Sequence, residues 1–433
     1  METKEILPLT HGLRGRLHIP GDKSISHRSV MLAALGETPV EVTNFLPGAD
    51  CLSTARIMRA MGAKIERTGE TSLSVTGCGL HGLKEPSEVL DAGNSGTTLR
   101  LLLGLLAPQP FFAVFTGDSS LCQRPMGRVT RPLAQMGAKI YGRAGNQNLP
   151  LTVLAPEGRL HGIRYESPVA SAQVKSAILL AGLYADGETT VVEPYPSRDH
   201  TENMLRAFGV PVETVGTAVT VRPVERFVAP AAIEVPGDIS SAAYWLVLAS
   251  LLQGSELVLE NVGVNPTRTG ILDVLVQMGA KISRENVRTS GGEQAADLVI
   301  TGTKLHGTTF GAEYMPRLID EIPAIAVAAL FAEGDTVITG AGELRVKETD
   351  RLAAITDEWN RVAPGSVEAG EDSLVIHGGT PVRRATVRSY ADHRMAMSLA
   401  ILGAAGQGLT IENPACVDIS YPTFYATLAQ FAK

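Results

Sequence analysis

Met61-Gly-Ala-Lys-Ile65 is a five-residue phrase that the chain repeats at 136–140 and at 278–282, and more loosely at Phe208-Gly-Val-Pro-Val212. The copies start 75, 72 and 70 residues apart. Each follows a helix-like stretch and leads into an alternating strand, and its glycine stands where a helix C-terminus favours a left-handed residue. The predicted helical stretches are 54–61, 129–136, 203–208 and 271–278.

A second pattern consists of an apolar helix, a glycine-containing turn and a β-branched strand. It occurs six times, at 29–42, 98–115, 174–192, 242–259, 322–338 and 395–411. Six copies of about 70 residues, each with two helices interleaved with strands, predict an α/β fold that repeats one supersecondary motif. A doubly wound sheet is not expected from this pattern.

The two halves of the chain also repeat each other, because Pro20-Gly-Asp22 returns as Pro236-Gly-Asp238 after 216 residues, half of the chain's 433. This duplication predicts two similar domains. One comprises residues 1–20 together with 236–433, and the other comprises residues 21–235. Two chain crossings between them would form a hinge that allows the domains to close.

Composition narrows the possible functions. With 44% hydrophobic residues, 19% charged residues and no long apolar run, we expect a globular protein without a membrane span. The first residues do not read as a targeting signal, so we expect a cytoplasmic protein. The net charge of −7 without blocks of like charge disfavours a nucleic-acid or anionic-membrane surface. The scattered cysteines and histidines lack metal-ligand spacing, and no metal is expected.

The first half carries an anion-binding pattern at a predicted helix start, where Lys23 stands beside Ser24 and Arg28. Free backbone N–H groups, a hydroxyl and two cations at a helix N-terminus suit a phosphate or carboxylate. An ordinary capped helix is the alternative. The equivalent helix after Asp238 has no cation in its own sequence, so the fold does not require these two charges.

Three other helix starts in the first half have polar or cationic groups. Gly93 and Gly96 flank Asn-Ser in a turn that lets backbone amides approach an oxyanion. Arg124 precedes a further predicted helix, and Ser171-Ala-Gln-Val-Lys175 opens another. Each alone is ordinary, but the repeat should point all of them the same way.

The second half contains the acid–base candidates. Asp320-Glu321 precedes a wholly apolar helix, where helix capping is the alternative explanation. The segment 345–351 places Lys347 and Arg351 four residues apart with Glu348 between them, and a salt-bridged surface helix is its alternative. The segment 390–394 places Asp392 and its polar neighbours before another apolar helix, which favours a ligand over a core role.

Taken together, four motifs resemble the EPSP synthase (3-phosphoshikimate 1-carboxyvinyltransferase) family over essentially the whole chain. They are Asp22-Lys-Ser-Ile-Ser-His-Arg28, Gly93-Asn-Ser-Gly-Thr97, Arg345-Val-Lys-Glu-Thr-Asp-Arg351 and Asp392-His-Arg-Met-Ala-Met397. The resemblance implies two domains, each of three βαβαββ repeats. It also implies an interdomain cleft, lined by helix N-termini, that closes on shikimate 3-phosphate and phosphoenolpyruvate.

The resemblance also implies the site residues. Those matching shikimate 3-phosphate contacts are Lys23, Ser24, Arg28, Ser171, Gln173, Asp320 and Lys347. Those matching phosphoenolpyruvate contacts are Lys23, Gly96, Arg124, Gln173, Arg351 and Arg394. The family moves the enolpyruvyl group to the 5-hydroxyl by addition and then elimination of phosphate, with no metal or organic cofactor. We expect the domain of residues 21–235 to bind shikimate 3-phosphate and the other to supply the phosphoenolpyruvate side.

Within that reaction, Asp320 is expected to be the base for the hydroxyl proton. Glu348, assisted by Lys23, is expected to exchange the proton at the methylene carbon. The chain departs from some members in lacking a lysine at 416–422, in having Glu343 for Asn, and in having Ala172 for a second Ser. Gly96 matches the variant that admits glyphosate, so we expect this inhibitor to bind. We also expect a monomer.

Two other functions fit parts of the pattern. A UDP-N-acetylglucosamine enolpyruvyl transferase shares the repeats and would have a reactive cysteine near Cys122, but Gln123-Arg-Pro125 matches the shikimate-type pattern. A non-catalytic anion- or nucleic-acid-binding module is the other, since RNA 3′-phosphate cyclases use related repeats. Such a module would need a basic face. Binding of small phosphorylated acids rather than polynucleotide distinguishes these functions.

Overall fold

The computed structural model describes residues 2–432, which form two compact units. Unit 1 comprises residues 2–20, Gly237–Arg288 and 294–432, and unit 2 comprises Gly21–Pro236 with Thr289–Glu293. Each unit has its own hydrophobic core. The chain therefore crosses between the units near Pro20 and Pro236, and again at either end of 289–293.

The strands are short, as expected when each repeat contributes only a few strands to a small sheet. In chain order they are β1 (Thr3–Ile6), β2 (Arg14–His18), β3 (Pro39–Thr43), β4 (Lys64–Gly69), β5 (Ser72–Thr76), β6 (Leu90–Asp91), β7 (Ala113–Thr116), β8 (Lys139–Gly142), β9 (Asn148–Leu154), β10 (Arg164–Glu166), β11 (Thr189–Val192), β12 (Val212–Val215), β13 (Ala218–Val221), β14 (Ala232–Glu234), β15 (Glu256–Gly263), β16 (Lys281–Ser290), β17 (Glu293–Thr301), β18 (Thr309–Phe310), β19 (Asp335–Ile338), β20 (Val367–Ala369), β21 (Leu374–His377), β22 (Thr386–Arg388) and β23 (Leu409–Glu412).

The helices alternate with these strands. They are α1 (Lys23–Ala33), α2 (Ala49–Ala60), α3 (Gly96–Leu106), α4 (Gly127–Gln135), the single turn α5 (Arg143–Asn146), α6 (Ala172–Gly182), α7 (His200–Ala207), α8 (Ile239–Leu251), α9 (Gly270–Gln277), α10 (Met315–Leu318), α11 (Ile322–Phe331), α12 (Arg351–Val362), α13 (His393–Ala405) and α14 (Phe424–Gln430). Short 3₁₀ turns lie at Leu121–Gln123, Ile319–Glu321, Gly342–Val346 and Pro414–Ile419.

Six small sheets, three in each unit, confirm the predicted repeat. Their strand orders are β14-β3-β5-β4, β6-β7-β9-β8 and β10-β11-β13-β12 in unit 2, and β16-β17-β15-β2, β18-β19-β21-β20 and β1-β23-β22 in unit 1. Each sheet has one parallel pair at an edge, such as β6 with β7, and antiparallel pairs elsewhere. The connection from β6 through α3, β7, α4 and β8 to β9 is the predicted βαβαββ motif.

At two chain crossings the repeats exchange their edge strand. β2 precedes α1 in sequence but pairs in parallel with β15, while β14 precedes α8 and pairs in parallel with β3. The duplicated Pro-Gly-Asp phrase therefore marks the two points where a strand of one unit leads into a helix of the other.

The glycines of the repeated phrase end helices as predicted. Gly62, Gly137, Gly209 and Gly279 have φ of +105°, +95°, +77° and +93° and follow α2, α4, α7 and α9. A glycine adopts this region without the steric cost that a Cβ would impose. The helix ends that these phrases predict are confirmed.

Three helices lie at the centre of each unit: α1, α3 and α6 in unit 2, and α8, α11 and α13 in unit 1. They are buried on nearly every face because the sheets cover them, which explains sequences such as the wholly apolar α11. Only their N-terminal turns carry several polar side chains. Within residues 2–432, no helix is both long and apolar enough to cross a membrane.

Candidate functional site

The first turn of α1 holds the predicted Lys23, Ser24 and Arg28. Asp22 caps the helix by accepting a hydrogen bond from the Ile25 N–H at 2.9 Å. The Lys23 ammonium, 30% exposed, forms an ion pair with Asp50. Asp22 therefore caps the helix, and Lys23 adds a solvent-accessible positive charge that capping does not need.

Arg28 is almost fully buried and uses its donors to join three helices. Its Nε donates to Thr201 Oγ1 at 2.7 Å, and its Nη2 donates to Ser176 Oγ at 2.9 Å. Its Nη1 donates to the Ser24 carbonyl at 2.9 Å. Burial lowers the pKa of Arg28 to about 10, in spite of the opposing effect of Glu202 and other carboxylates.

The start of α3 brings Gly96 close to two guanidinium groups. A Cβ at Gly96 would lie 3.5 Å from Arg100 Nη1 and 3.6 Å from Arg124 Nη1. Gln173 at the start of α6 accepts a hydrogen bond from Arg100 and donates to Thr97 Oγ1 at 2.9 Å. Burial lowers the pKa of Arg100 to about 10, and the positive charges of Arg124 and another arginine lower it further. No described carboxylate forms an ion pair with Arg100.

A chain of buried polar atoms joins α1 to α3. His27 Nδ1 lies 2.7 Å from Thr54 Oγ1, which lies 2.7 Å from Thr98 Oγ1, which in turn donates to Ser95 Oγ at 2.7 Å. Burial, together with the positive charges of Lys23 and Arg28, lowers the pKa of His27 well below its usual value. His27 is therefore neutral at pH 7. We call Lys23, Arg28, Arg100 and Arg124 the cationic cluster.

At the start of α6, Ser171 caps the helix and Lys175 lies beneath it. The Lys175 ammonium is 3% exposed and lies 3.0 Å from Glu193 and 2.7 Å from Glu202. Glu193 also accepts a hydrogen bond from the Ser171 N–H at 2.8 Å. The expectation that all four helix starts point their charges to one place is thus wrong for Lys175, which is neutralised in the interior.

In unit 1, Asp320 lies among three cations from three segments. Its carboxylate is 4.0 Å from Lys347 Nζ, 3.5 Å from Arg351 Nη1 and 3.8 Å from Arg394 Nη2. Arg351 is buried on the first turn of α12, and Arg394 is on the first turn of α13. Asp320 thus lies within 4.0 Å of Lys347, Arg351 and Arg394, and Glu348 joins this group through Arg351.

Arg351 also joins two further carboxylates. Its Nη2 donates to Glu348 at 2.5 Å, and its Nε donates to Asp392 at 2.8 Å. Asp392 caps α13 by accepting from the Arg394 N–H at 2.8 Å, as its position predicted. We call Asp320, Glu348, Asp392, Arg351 and Arg394 the carboxylate–arginine cluster.

The charges of this cluster shift one another's pKa values. Burial alone would raise the pKa of Glu348, but Arg351 and neighbouring cations outweigh it and lower the value to about 2. Burial and Arg394 lower the pKa of His393 to about 4. The carboxylates outweigh burial and raise the pKa of Arg351 and of Arg394. At pH 7 Glu348 is ionised and His393 is neutral.

Local structure departs from two sequence-based interpretations. Lys347 precedes α12 rather than sharing it with Arg351, because Asp350 caps the helix. Glu321 stands at the N-cap position, directly before α11, but its side chain makes no capping hydrogen bond and accepts one from Ser240 on α8 instead.

The helix after Asp238 is also less free of charge than its sequence indicated. Arg268, from the loop before α9, places Nη2 3.4 Å from Asp238 Oδ1 and 2.7 Å from Ser240 Oγ. A cation therefore does reach this helix start, although it comes from about 30 residues away in the chain.

The structure thus brings the predicted residues into two groups, one in each unit. Arg100 was not predicted as a site residue, although its position four residues after Gly96 on one helix face could have indicated it. The contacts of Arg268, Glu193 and Glu202 join residues far apart in the chain, so spacing along the sequence does not predict them.

Comparison with known proteins matches the chain to one family. The family model described as EPSP synthase (3-phosphoshikimate 1-carboxyvinyltransferase) matches residues 9–428. A protein of Desulforamulus reducens named 3-phosphoshikimate 1-carboxyvinyltransferase is 51% identical over 419 residues, covering 96% of this chain and 97% of that protein. A Bacillus cereus protein of the same name is 50% identical over 434 residues, covering 100% of both.

Solved structures give the same result. The EPSP synthase of Acinetobacter baumannii superimposes with a TM-score of 0.92 at 44% identity, covering 100% of this chain and 98% of that one. The enolpyruvyl transferase NikO of Streptomyces tendae, at 20% identity and a TM-score of 0.78 over 99% of this chain and 96% of that one, shares the fold. The chain belongs to the EPSP synthase (3-phosphoshikimate 1-carboxyvinyltransferase) family of transferases.

Proposed function

We propose that this chain transfers the enolpyruvyl group of phosphoenolpyruvate to the 5-hydroxyl of shikimate 3-phosphate, releasing phosphate. The observation that carries the proposal is the position of Asp320, a carboxylate within 4.0 Å of Lys347, Arg351 and Arg394. A base surrounded by cations suits a hydroxyl that must lose its proton while it attacks an anionic substrate.

Shikimate 3-phosphate is assigned to unit 2 together with Asp320 and Lys347. Lys23 and the helix start at Ser24 offer an ammonium and backbone amides to the phosphate, and buried Arg28 holds α1 against α6. Ser171 and Gln173 stand on the first turn of α6 and complete this set.

Phosphoenolpyruvate is assigned to the remaining cations and to Lys23, which would serve both substrates. Lys23, Gly96, Arg124 and Gln173 belong to unit 2, and Arg351 and Arg394 belong to unit 1. Guanidinium groups bind carboxylate and phosphate through paired hydrogen bonds, which gives both affinity and orientation. This arrangement makes unit 1 the source of the acid–base groups.

The reaction needs two proton transfers in the addition step. The 5-hydroxyl gives its proton to Asp320 as its oxygen bonds to the enol carbon, and the methylene carbon takes a proton from Glu348 or Lys23. Elimination then reverses the transfer at the methyl carbon, and the C–O bond to phosphate breaks. The proton count balances because Asp320 passes the hydroxyl proton to the leaving phosphate, and Glu348 or Lys23 takes back the proton that it gave to the methylene carbon.

Glu348 must gain a proton before it can give one, because Arg351 and its neighbours hold its pKa near 2 in the free protein. A bound phosphate near Arg351 would share the guanidinium charge and place negative charge near Glu348. Both effects raise the pKa of the carboxyl group. Substrate binding therefore prepares Glu348 to carry the proton.

Acid–base groups alone contribute roughly 10²- to 10⁴-fold to such a rate. The larger part comes from holding two anions together and from charge that is already oriented. Glyphosate binding at the phosphoenolpyruvate site, action as a monomer and a cytoplasmic location belong to the same proposal and rest on the family resemblance.

The test is phosphate release from shikimate 3-phosphate and phosphoenolpyruvate in the presence of EDTA. The wild type should turn over, Lys23→Ala and Asp320→Ala should lose most of the rate, and UDP-N-acetylglucosamine should not replace shikimate 3-phosphate. Tyr425→Phe is the control, because this hydroxyl is buried without a hydrogen-bond partner among residues 2–432. A folded wild type that releases no phosphate would overturn the proposal.

A further inference from the structure

Glu358 is a fully buried carboxylate that the proposed reaction does not use. It lies on α12, and its Oε1 accepts a hydrogen bond from the Tyr390 hydroxyl at 2.9 Å. Its Oε2 accepts from the backbone N–H of Arg388 at 3.2 Å and from Arg361 Nε at 3.0 Å. Both oxygens are thus engaged, and two of the three contacts hold the segment that leads into α13.

That segment has an unusual backbone. Tyr390 and Ala391 have φ of +56° and +55°, so two consecutive residues with a Cβ lie in the left-handed region. Such residues are strained and keep this conformation only where surrounding contacts impose it. Ser389 is one anchor, since its Oγ donates to the Asn413 carbonyl at 2.9 Å. The Tyr390 hydroxyl on Glu358 is another.

The same helix fastens the segment at a second point. Arg351 and Glu358 are seven residues apart, two turns along one face of α12. Arg351 holds Asp392 at 2.8 Å while Glu358 holds Tyr390 at 2.9 Å. The strained pair therefore spans the space between two anchors on one helix, and the next residues place the guanidinium group of Arg394.

We infer that Glu358 and the Tyr390 hydroxyl are positioning residues, which hold the segment 388–392 in the strained conformation that sets Asp392 and Arg394 for phosphoenolpyruvate. The identity of the substrate rests on the proposed function, whereas the positioning role rests only on the contacts described above. Neither residue belongs to the sets assigned to the two substrates.

A purely structural role makes a different prediction. If Tyr390 served only to satisfy the buried carboxylate, its loss would lower stability and leave the geometry at residues 392–394 unchanged. If it positions the segment, its loss lets Tyr390 and Ala391 relax towards an ordinary backbone, and Arg394 moves with them. Stability and substrate affinity therefore separate the two roles.

The experiment compares Tyr390→Phe with Tyr425→Phe, which removes a buried hydroxyl that has no hydrogen-bond partner in the described part of the chain. Kinetics give the KM for each substrate. The Cε1 resonance of ¹³C-labelled His393, assigned through its absence in His393→Asn, reports the local conformation without any turnover. Thermal unfolding is recorded for each variant.

We expect Tyr390→Phe to raise the KM for phosphoenolpyruvate roughly three- to tenfold, the loss expected from one hydrogen bond, with less than about a twofold change for shikimate 3-phosphate. The His393 resonance should shift. Glu358→Gln keeps an oxygen acceptor for the hydroxyl and should lie between the wild type and Glu358→Leu. Tyr425→Phe should change neither measurement.

An unchanged His393 resonance in Tyr390→Phe would overturn the positioning role, whatever the activity. A shifted resonance with an unchanged KM for phosphoenolpyruvate in an active enzyme would overturn its link to that substrate. If the resonance shifts while the wild type itself shows no transfer, the positioning role stands and the proposed function fails.

Discussion

The two units present cations at helix N-termini in opposite electrostatic settings. In unit 2, Arg100 has no carboxylate ion-pair partner among the described residues, and burial with neighbouring arginines lowers its pKa. In unit 1, Arg351 contacts three carboxylates, and they raise its pKa although it is more deeply buried. The repeated fold is the same, but these two arginines have opposite charge environments, although Lys23 and Lys175 of unit 2 do have carboxylate partners.

The difference shows how one motif serves two chemical tasks. A buried cation without a carboxylate is unstable until an anion arrives, so it favours binding of a phosphate or carboxylate. A cation already paired with carboxylates has less to gain from a ligand. It holds those carboxylates ionised and oriented, which suits proton transfer. In the proposed function, Arg100 and Arg124 would therefore serve anion binding, and the carboxylates around Arg351 would serve proton transfer.

The largest expected effect follows from removing one arginine from each cluster. Arg351→Met leaves Asp320, Glu348 and Asp392 without their shared cation and should destabilise unit 1 by about 3–5 kcal/mol. Arg100→Met removes a charge that burial disfavours, and it should change the stability of unit 2 by less than about 1 kcal/mol. Urea unfolding followed by hydrogen exchange reports each unit separately.

Tryptophan fluorescence adds a second readout, because Trp245 and Trp359 are the only two tryptophans and both lie in unit 1. The fluorescence midpoint should fall in Arg351→Met and stay near the wild-type value in Arg100→Met. Equal losses of stability in the two variants would show that the charge balance does not differ between the units.

Lowering the pH should reduce the stability of unit 2 through protonation of His27. Its pKa is held well below 6.5 in the folded chain because the ring is buried, so the unfolded chain takes up the proton more readily as the pH falls below 7. Stability is therefore lost as the pH falls through this range. In His27→Asn the loss measured by urea unfolding should be smaller.

The matched control is His377, which is half-buried and whose pKa is raised by hydrogen bonds to Asp335 and Glu368. Its charged form is favoured in the folded state, so its contribution is present at low pH and is lost as the pH rises. His377→Asn should not reduce the loss of stability in acid. If His27→Asn and His377→Asn behaved alike, the lowered pKa of the buried His27 would be contradicted.

A single hydroxyl should matter in unit 2 and not in unit 1. Thr54→Val breaks the link between His27 and Thr98 and leaves buried polar atoms unpaired, at a cost of about 1–2 kcal/mol. Thr336 in unit 1 is also fully buried, but its hydroxyl has no hydrogen-bond partner within residues 2–432. Thr336→Val should be neutral or stabilising in thermal unfolding, and a loss equal to that of Thr54→Val would contradict this assignment.

The fold could be predicted from the sequence because its signals are local and repeated. The glycine of each repeated phrase ends a helix within the same few residues, and Gly62 or Gly279 shows this as clearly as any. The Pro-Gly-Asp duplication predicted that residues 1–20 lie with residues 236–433, but it did not indicate which strands β2 and β14 pair with. That pairing depends on strands far apart in the chain: β2 pairs with β15 (Arg14 with Glu256), and β14 pairs with β3 (Ala232 with Glu41).

The site could be predicted in part. Motifs identified Asp320 and Arg351 as residues, but their mutual distance of 3.5 Å depends on how α11 and α12 pack. Lys175 has the spacing of a ligand-binding residue and is instead paired with Glu193 and Glu202 in the interior. Spacing along one helix predicts which residues share a face of that helix. It does not predict which carboxylate from another element will contact them.

The smallest and most specific effect concerns Gly96, which lies close to Arg100 of α3 and to Arg124, from the turn before α4. An alanine Cβ there would lie 3.5–3.6 Å from the guanidinium groups of Arg100 and Arg124, an ordinary contact distance, so Gly96→Ala should fold without loss of stability. The methyl group would occupy space needed by an anion that reaches both arginines. We expect a roughly three- to tenfold higher KM for phosphoenolpyruvate and weaker inhibition by glyphosate, measured by phosphate release. Because the residues assigned to shikimate 3-phosphate, such as Ser24, Ser171 and Lys347, are untouched, the KM for that substrate should stay within about twofold. An unchanged KM for phosphoenolpyruvate would mean that the cationic cluster does not bind that substrate, and the division between binding and chemistry would have to be redrawn.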